Sequence, residues 1–364
     1  MYYKLITFGC QMNISDSERI ASVLKKMKYQ PTLDESKADL ILINSCSVRQ
    51  KAIDRIFGQE KKWQKLKKEK PSLIIALTGC ITEKDKKKLK DKADLIFNIK
   101  ELSELPKKIV NMQQYVETQQ CLVSTDYFHI KPQYSNKTIA YVPIMTGCDN
   151  FCSYCVVPYT RGREIYRPIE KIICEIKNLV KRGYKEIILL GQNVNSYQLT
   201  INNQQSTIIS FPQLLKMIAE IPGKFQITFL TSHPKDMSDE LIDTMAKCEK
   251  IKKELHLPVQ SGDDEILKKM NRNYIVDHYL KLVQKVREKI GKIFLSTDII
   301  VGFPGETKKQ FENTVKLCKK IKFNKAFISQ YSPRPGTVSA KLKDNISKEE
   351  KKRRWEILND LINS

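Results

Sequence analysis

Long apolar runs are missing. Nowhere in the 364 residues does one reach the length of a membrane span, which excludes a membrane-spanning helix. Met1 to Lys4 leads directly into a strand-like segment, without the basic, apolar and small-residue succession of a secretory leader. The chain is therefore expected in the cytoplasm. Histidine is scarce, at four residues, and none follows the cysteine-rich stretch at zinc-finger spacing. Arginine is scarce too, with 12 Arg against 52 Lys. The net charge of +23 invites a polyanionic partner, because clustered cations gain affinity by releasing counterions from phosphates. Runs such as 61–70 and 84–92 nevertheless read as solvated faces of lysine-rich amphipathic helices, so charge alone leaves nucleic acid and a plain lysine surface equally open.

Cysteine is plentiful, with ten residues. A reducing compartment keeps thiols free, so this number argues for metal or redox chemistry over disulfides. Cys148, Cys152 and Cys155 form a C-x3-C-x2-C loop, flanked by Gly147 and with Tyr154 before the last cysteine. Three thiolates on one tight loop hold three irons of a 4Fe-4S cube and leave the fourth iron open to a ligand. Zinc is the competing metal, but a structural zinc site takes four ligands, usually as two C-x2-C pairs or a Cys/His set. Three merely buried thiols are the plain alternative.

The length suits two or three domains. In the first hundred residues, strand-like segments at Tyr3–Phe8, Leu40–Asn44, Leu73–Leu77 and Leu95–Asn98 alternate with lysine-rich helical patterns, a small α/β unit. Ser15, with Glu18 at capping-box distance, is expected to open the first helix. Three of the strands run into Cys10, Cys46 and Cys80. Ligands of open α/β sheets collect beyond the carboxyl ends of the strands, which predicts that these thiols converge; three unrelated core cysteines are the competing reading. A polar segment rich in Gln, Ser and Thr reads as a linker over 116–137, with Cys121 incidental. This divides the chain into 1–115, the linker, 138–345 and a terminal helical piece, 346–364.

From Ile139 strands and helices alternate again, with strands at Tyr141–Met145, Glu186–Leu190, Phe225–Leu230, Glu254–Leu257, Ile293–Val301 and Ala326–Gln330. Six such units predict a parallel sheet curled into a partial (β/α)6 barrel, whose working face lies at the carboxyl strand ends. The Cys148 loop follows the first of these strands. Cys174, Cys248 and Cys318 fall in helical patterns and read as packing residues. On the working face, Gly191, Gln192 and Asn193 form a turn suited to an amino-acid headgroup, though such turns are ordinary loop chemistry. Ser232 and His233 end the third strand; Gln260 and Ser261 follow the fourth and point toward the face. His233 and His256 read either as general bases or as structural hydrogen-bonding groups. Ile300 suits an adenine ring and Asp298 a ribose hydroxyl, with a buried ion pair as the alternative for Asp298. Arg272 and Arg334 suggest bidentate recognition of carboxylate or phosphate in a lysine-dominated chain, or pairing with a structural acid.

At these residues the chain resembles the radical S-adenosylmethionine (SAM) methylthiotransferases. The Cys148–Cys155 loop is similar to the mark of the radical SAM superfamily, and the preceding Gly9-Cys10, Ser45-Cys46 and Gly79-Cys80 narrow the likeness to methylthiotransferases. Gly9-Cys10-Gln11-Met12-Asn13, Asn44-Ser45-Cys46-Ser47-Val48-Arg49, Cys155-Val156-Val157-Pro158-Tyr159-Thr160-Arg161-Gly162 and Leu190-Gly191-Gln192-Asn193-Val194-Asn195 resemble its tRNA branch. The resemblance runs from Tyr3 to about Ser364. It implies a Rossmann-like N-terminal α/β domain, a radical SAM barrel and two 4Fe-4S clusters. One cluster, on Cys148, Cys152 and Cys155, would chelate SAM and cleave it to a 5′-deoxyadenosyl radical that attacks carbon 2 of an adenine. An auxiliary cluster on Cys10, Cys46 and Cys80 would hold or donate the sulfur. Tyr154 would line the SAM adenine pocket and Gly191 and Gln192 its methionine end, with Ser232, Gln260, Ser261, Arg272, Asp298 and Ile300 as further SAM contacts.

The implied substrate is N6-isopentenyladenosine in a tRNA anticodon stem-loop, converted to its 2-methylthio form, with a reductant such as flavodoxin or ferredoxin and a monomeric enzyme. Family members continue into a small β-barrel, the TRAM domain, after the helix at 347–362; this chain is expected to lack it and to bind tRNA through its basic surface. The alternatives are a sister methylthiotransferase acting on threonylcarbamoyladenosine or a ribosomal-protein aspartate, which Gln11-Met12-Asn13 weighs against, and a non-catalytic iron-sulfur carrier or RNA-binding module, which needs no open iron.

Overall fold

The computed structural model describes residues 1–47, 50–113, 127–201 and 207–364. Cys121, most of the expected linker, and Val48 and Arg49 of the motif after Cys46 lie outside the described residues. The chain forms two compact units, one of Met1–Lys137 with Tyr159–Arg161, the other of Thr138–Pro158 with Gly162–Ser364. Among the described residues no helix is long and apolar enough to cross a membrane.

The first unit contains strands β1 (Tyr2–Phe8), β2 (Gln30–Pro31), β3 (Leu40–Cys46), β4 (Ile74–Cys80) and β5 (Leu95–Ile96). Its helices are α1 (Gln11–Lys26), α2 (Gln50–Gly58), α3 (Glu60–Glu69), α4 (Glu83–Leu89) and α5 (Leu105–Gln113). The strands make one parallel sheet in the order β2-β1-β3-β4-β5. Helices cover both faces, so the central strands are apolar on both sides and every residue of β3 and β4 is buried. Leu40 and Leu42 pack with Ile20, Val23 and Leu24 on one face, while Ile41 and Ile43 pack with Ile53, Ile56 and Trp63 on the other.

Two expectations change here. Helix α1 begins four residues before Ser15, with Cys10 at its N-cap and Asn13 returning to the Cys10 amide. Ser15 is instead buried within the helix, where its hydroxyl accepts from Arg19 at 2.8 Å; Asn13 competes for the same capping role closer to the strand end. The described part of the expected linker is also folded. Tyr127, Phe128 and Ile130 supply enough apolar surface to join the core of the first unit, and the Gln133 amide donates to Glu18 O at 2.9 Å.

The short helix α6 (Val157–Thr160) follows the cysteine loop. The second unit carries parallel strands β6 (Ile139–Pro143), β9 (Glu186–Leu190), β12 (Gln226–Phe229), β13 (Glu254–His256), β14 (Phe294–Val301) and β15 (Lys325–Gln330). Small antiparallel pairs, β7 (Met145–Thr146) with β8 (Ile165–Tyr166) and β10 (Gln198–Ile201) with β11 (Thr207–Ser210), lie between them in sequence. Its helices are α7 (Ile169–Lys181), α8 (Phe211–Ala219), α9 (Asp239–Lys247), α10 (Asp264–Lys269), α11 (Val276–Ile290), α12 (Lys308–Ile321) and α13 (Lys348–Ile362).

The six strands expected are all present, grouped as β12-β9-β6 and β13-β14-β15. The connection between the groups thins to the single bridge Ile227–Ile251. Strand β13 has three residues and is soon followed by Pro258, which has no N–H to extend a ladder. At the far edge α13 lies across β15, where Asn363 pairs with both the amide and the carbonyl of Ala326 at 3.0 and 2.9 Å. Trp355 Nε1 donates to Ile328 O at 2.9 Å. The β15 edge is thereby covered. Cys318 is a core residue, whereas Cys174, expected to pack, is exposed on the outer face of α7.

Candidate functional site

In the first unit, strands β1, β3 and β4 are neighbours and all end at the same edge. Phe8 registers with Ser45, Ser45 with Gly79, and Cys46 with Cys80. Cys46 and Cys80 are thus direct ladder partners, with backbones about 4.8 Å apart as in any sheet, and Cys10 follows Phe8 by two residues on the next strand. The three cysteines thus lie at the ends of neighbouring strands, along one edge of the sheet. Gly79 has φ +111°, and a Cβ there would fall 2.1 Å from Ser45 O. Only glycine permits this approach of β4 to β3 next to the cysteine pair.

A buried amide network holds the edge. Asn13 Oδ1 accepts from the Cys10 amide at 3.2 Å and faces its thiol at 3.4 Å, while Nδ2 donates to Asn44 Oδ1 at 3.1 Å. Asn44 Nδ2 returns to Asn13 O at 2.8 Å and to Ser17 Oγ at 3.0 Å. Both asparagines are fully buried. They therefore fix the Cys10 turn against β3.

Arg161 belongs to this unit. Its Nε donates to Cys80 Sγ at 2.9 Å and its Nη2 to Asp16 Oδ2 at 2.6 Å, with both side chains buried. Burial opposes the guanidinium charge, yet Asp16 and then Cys80 outweigh it and hold Arg161 protonated. The Cys80 thiol is pushed up, first by its hydrogen bond with Cys46 and then by burial, with Arg161 pulling the other way. Bare thiolates crowded here repel one another, and cluster irons would supply the compensating positive charge.

In the second unit the Cys148 loop is tied down at both ends. Gly147, at φ +87°, would place a Cβ 2.0 Å from Arg163 O. The Gly147 amide donates to Gln192 Oε1 at 2.6 Å and the Cys148 amide to Gly162 O at 3.1 Å. The turn after α10 clamps the middle: Ser153 bonds through its amide to Met270 O at 2.9 Å and through its hydroxyl to Lys269 O at 2.8 Å, and Asn271 donates to Asn150 O and Phe151 O. Two donors reach the sulfurs, Asn150 Nδ2 to Cys148 and Arg272 Nη1 to Cys152, each at 3.5 Å. Burial, then the neighbouring Cys152, pushes the Cys155 thiol up to about 12. Among the described residues no three His, Cys, Asp or Glu side chains close around a single metal ion. Three thiolates that each take a different iron of a cube do not have to.

The expected SAM contacts fall into two groups. Tyr154 and Ile300 come together, both packed against Ile266, Met270, Phe303 and Tyr331, an apolar wall suited to a ring. Ser296, Asp298 and Ile300 share one face of β14 by the strand alternation, and Asp298 Oδ2 lies 3.2 Å from His256 Nε2. Ser232 Oγ, Gln260 Oε1 and Asn193 Oδ1 are buried polar atoms with no protein partner, and Gln260 sits at φ +67°. Each such group costs about 1–3 kcal/mol if left unpaired, and the ammonium, carboxylate and hydroxyls of SAM fit that need.

The other group is committed to protein. Arg272, buried, also donates from Nη2 to Pro258 O at 2.8 Å and from Nε to Tyr274 Oη at 3.0 Å. Each of its three nitrogens thus has one protein acceptor, one of them on the cysteine loop. Ser261 is fully buried, accepts from the Asp263 amide and faces Thr314. Gly191 packs closely on Met145. Arg334 lies in a turn whose carbonyl accepts from Thr337. His233 is structural: its Nδ1 accepts the Lys235 amide at 3.2 Å, capping a single turn, and burial, then Arg272 and Lys235, lowers its pKa to about 2.

Sequence reasoning passed over Asn13, Asn44, Asp16 and Arg161 as working residues. Asn13, Asn44 and Arg161 sit in the quoted motifs, and the scarcity of arginine was the available signal for Arg161.

Residues 142–318 match the family described as "Radical SAM superfamily" and residues 2–98 that described as "Uncharacterized protein family UPF0004". The chain is similar to the tRNA-2-methylthio-N(6)-dimethylallyladenosine synthase of Carboxydothermus hydrogenoformans, at 44% identity over 371 residues, 99% of this chain and 83% of the relative. The enzyme of the same description from Thermoanaerobacter sp. is 43% identical, covering 100% of this chain and 78% of its own. Among solved structures, the radical S-adenosylmethionine methyltransferase TsrM from Kitasatospora setae aligns with a TM-score of 0.63 at 13% identity, over 93% of this chain and 77% of that one. That likeness is one of fold alone.

Proposed function

The chain belongs to the radical SAM methylthiotransferases, which use SAM and a 4Fe-4S cluster, and from that membership we propose that it converts N6-isopentenyladenosine beside a tRNA anticodon to its 2-methylthio form. The observation that carries the proposal is the second thiolate set. Cys10, Cys46 and Cys80 stand together at adjacent strand ends, apart in the chain from the Cys148–Cys155 loop. SAM cleavage alone needs one cluster; adding sulfur to carbon needs a second place to hold it.

In this reading Cys148, Cys152 and Cys155 hold the cluster that engages SAM, and Cys10, Cys46 and Cys80 hold an auxiliary one. When bound, these groups supply the one-electron and sulfur-transfer chemistry. The protein positions and shields. Tyr154 and Ile300 offer the wall against which the SAM adenine packs, Asp298 a hydroxyl acceptor, and Ser232 and Gln260 polar atoms for the amino-acid end. Gln192, through Gly147, locks the turn after β9 to the cysteine loop, so cofactor and cluster share one frame. Asn150 and Arg272 donate toward the Cys148 and Cys152 sulfurs and stabilise their charge. The lysine excess suits the phosphates of a stem-loop, while one unstacked adenine supplies the specificity. A reduced flavodoxin- or ferredoxin-type protein would supply electrons to a monomer.

The test is nucleoside mass spectrometry on an isopentenylated anticodon stem-loop incubated anaerobically with reconstituted protein, SAM and reductant. The proposal expects a 2-methylthio product. A product only from threonylcarbamoyladenosine, or none with both clusters present, overturns it.

A further inference from the structure

We infer that Arg161 is a positioning residue for the auxiliary cluster, one that sets the cluster's reduction potential through a hydrogen bond to the ligand sulfur of Cys80. The inference rests on the assignment of Cys10, Cys46 and Cys80 as cluster ligands.

The geometry is that of a clamped fork. Guanidinium is planar and presents donors in fixed directions. Here Nε points to Cys80 Sγ at 2.9 Å, close for an N–H to sulfur contact, and Nη2 to Asp16 Oδ2 at 2.6 Å. Asp16 is itself held, since its other oxygen accepts from Tyr127 Oη at 2.5 Å. Asp16 is fully buried and Arg161 is 2% exposed. Tyr127 is in turn faced by Arg19 at 5.2 Å. The chain Tyr127–Asp16–Arg161–Cys80 therefore leaves the guanidinium one orientation, with its N–H aimed at one sulfur.

A structural ion pair needs only the Asp16 contact. The second donor would then face a carbonyl or water, as most buried arginine donors do. It faces a thiol whose strand partner is Cys46 and which stands at the edge where the three cysteines gather. Hydrogen bonds to ligand sulfurs withdraw electron density and, with a nearby positive charge, favour the reduced cluster. Asn13 Oδ1 lies 3.4 Å from the Cys10 thiol, but as an acceptor it offers a ligand thiolate no hydrogen bond, whereas Arg161 brings a charged donor to Cys80.

The experiment compares reconstituted wild type with R161K, R161Q and D16N, following each cluster by EPR during an anaerobic redox titration. Resonance Raman records the iron–cysteine stretches in the same samples. At fixed potential, R161Q should lower the ratio of reduced to oxidised auxiliary cluster at least tenfold, equivalent to 59 mV for a one-electron couple, with one iron–sulfur stretch moved. R161K, which keeps charge but cannot span both partners, should fall between. D16N frees the fork, so its iron–sulfur stretch should move as in R161Q, while loss of the Asp16 negative charge offsets part of the change in potential. The cluster on Cys148, Cys152 and Cys155 should be unmoved. Equal auxiliary potentials and unmoved iron–sulfur stretches in wild type and folded, two-cluster R161Q overturn the inference. So does failure of all three variants to fold, which assigns Arg161 to stability alone. Wild type that assembles only one cluster instead overturns the auxiliary-cluster assignment.

Discussion

Asn13→Ala removes a single side chain that holds three structural pieces. Its Oδ1 accepts the Cys10 amide and its Nδ2 donates to Asn44 Oδ1 and, at 3.4 Å, to Ser45 O. The site is fully buried, so the deletion leaves the Cys10 N–H and Asn44 Oδ1 without partners. At about 1–3 kcal/mol for each stranded group, and allowing one to recover a water, the loss is roughly 1–3 kcal/mol. That is a large share of the 5–15 kcal/mol typical of a whole domain. Trp63 lies in the core of the first unit and Trp355 in the second. In a Trp355→Phe background, fluorescence during urea unfolding therefore reports the first unit alone. The midpoint should fall at unchanged slope, and reconstituted protein should lose the irons of the auxiliary site first. A variant within about 0.5 kcal/mol of its parent, with full iron, would refute the claim that the amide network positions Cys10.

Other expectations follow from single contacts. Gly79→Ala forces a left-handed backbone onto a residue with a Cβ 2.1 Å from Ser45 O; strain of about 1–3 kcal/mol plus the clash should unfold the first unit at lower urea, and a crystal structure with β4 unshifted would contradict this. Arg354→Ala leaves buried Glu306 without the partner at 2.7 Å, at about 3–5 kcal/mol for a broken buried pair; calorimetry should show the second unit melting earlier. His233, held neutral with its pKa lowered to about 2, takes up no proton in the folded state where the unfolded ring does. Stability should therefore fall as pH drops below about 6.5, by up to about 1.4 kcal/mol per unit. His233→Asn, which can still accept the Lys235 amide, should flatten that dependence between pH 6 and 5, and parallel curves would contradict it.

Strand positions were legible because the apolar segments were short, regular and closed by Gly-Cys or Pro, and each was found within a few residues of its place. The shared sheet edge of Cys10, Cys46 and Cys80 followed from parallel strands. What the sequence hid was partnership at long range. Ser15 had the local chemistry of a cap, but Asn13 reached Cys10 first, a choice made by Asn44 from thirty-one residues away. Arg272 looked like an anion clamp because arginine was scarce; its burial against Cys152, Pro258 and Tyr274, one bond from each nitrogen, could be seen only in the fold. Asp16 gave no signal at all, since a single acid in a helix becomes meaningful only when Arg161 and Tyr127 close on it. Tyr127 and Phe128 were read with the polar segment preceding them, and only the core of the first unit shows why they fold.

The most direct measurement of the central claim is a paired assay on Cys10→Ala/Cys46→Ala/Cys80→Ala, reconstituted anaerobically beside wild type, scoring iron content, 5′-deoxyadenosine and 2-methylthio nucleoside in the same reaction. The account predicts about eight irons in the wild type and about four in the variant, from four per cube. It predicts 5′-deoxyadenosine from both proteins and 2-methylthio product from wild type only. Unchanged iron in the variant, or loss of 5′-deoxyadenosine while the remaining cluster is spectroscopically intact, would contradict the separation of radical generation from sulfur delivery.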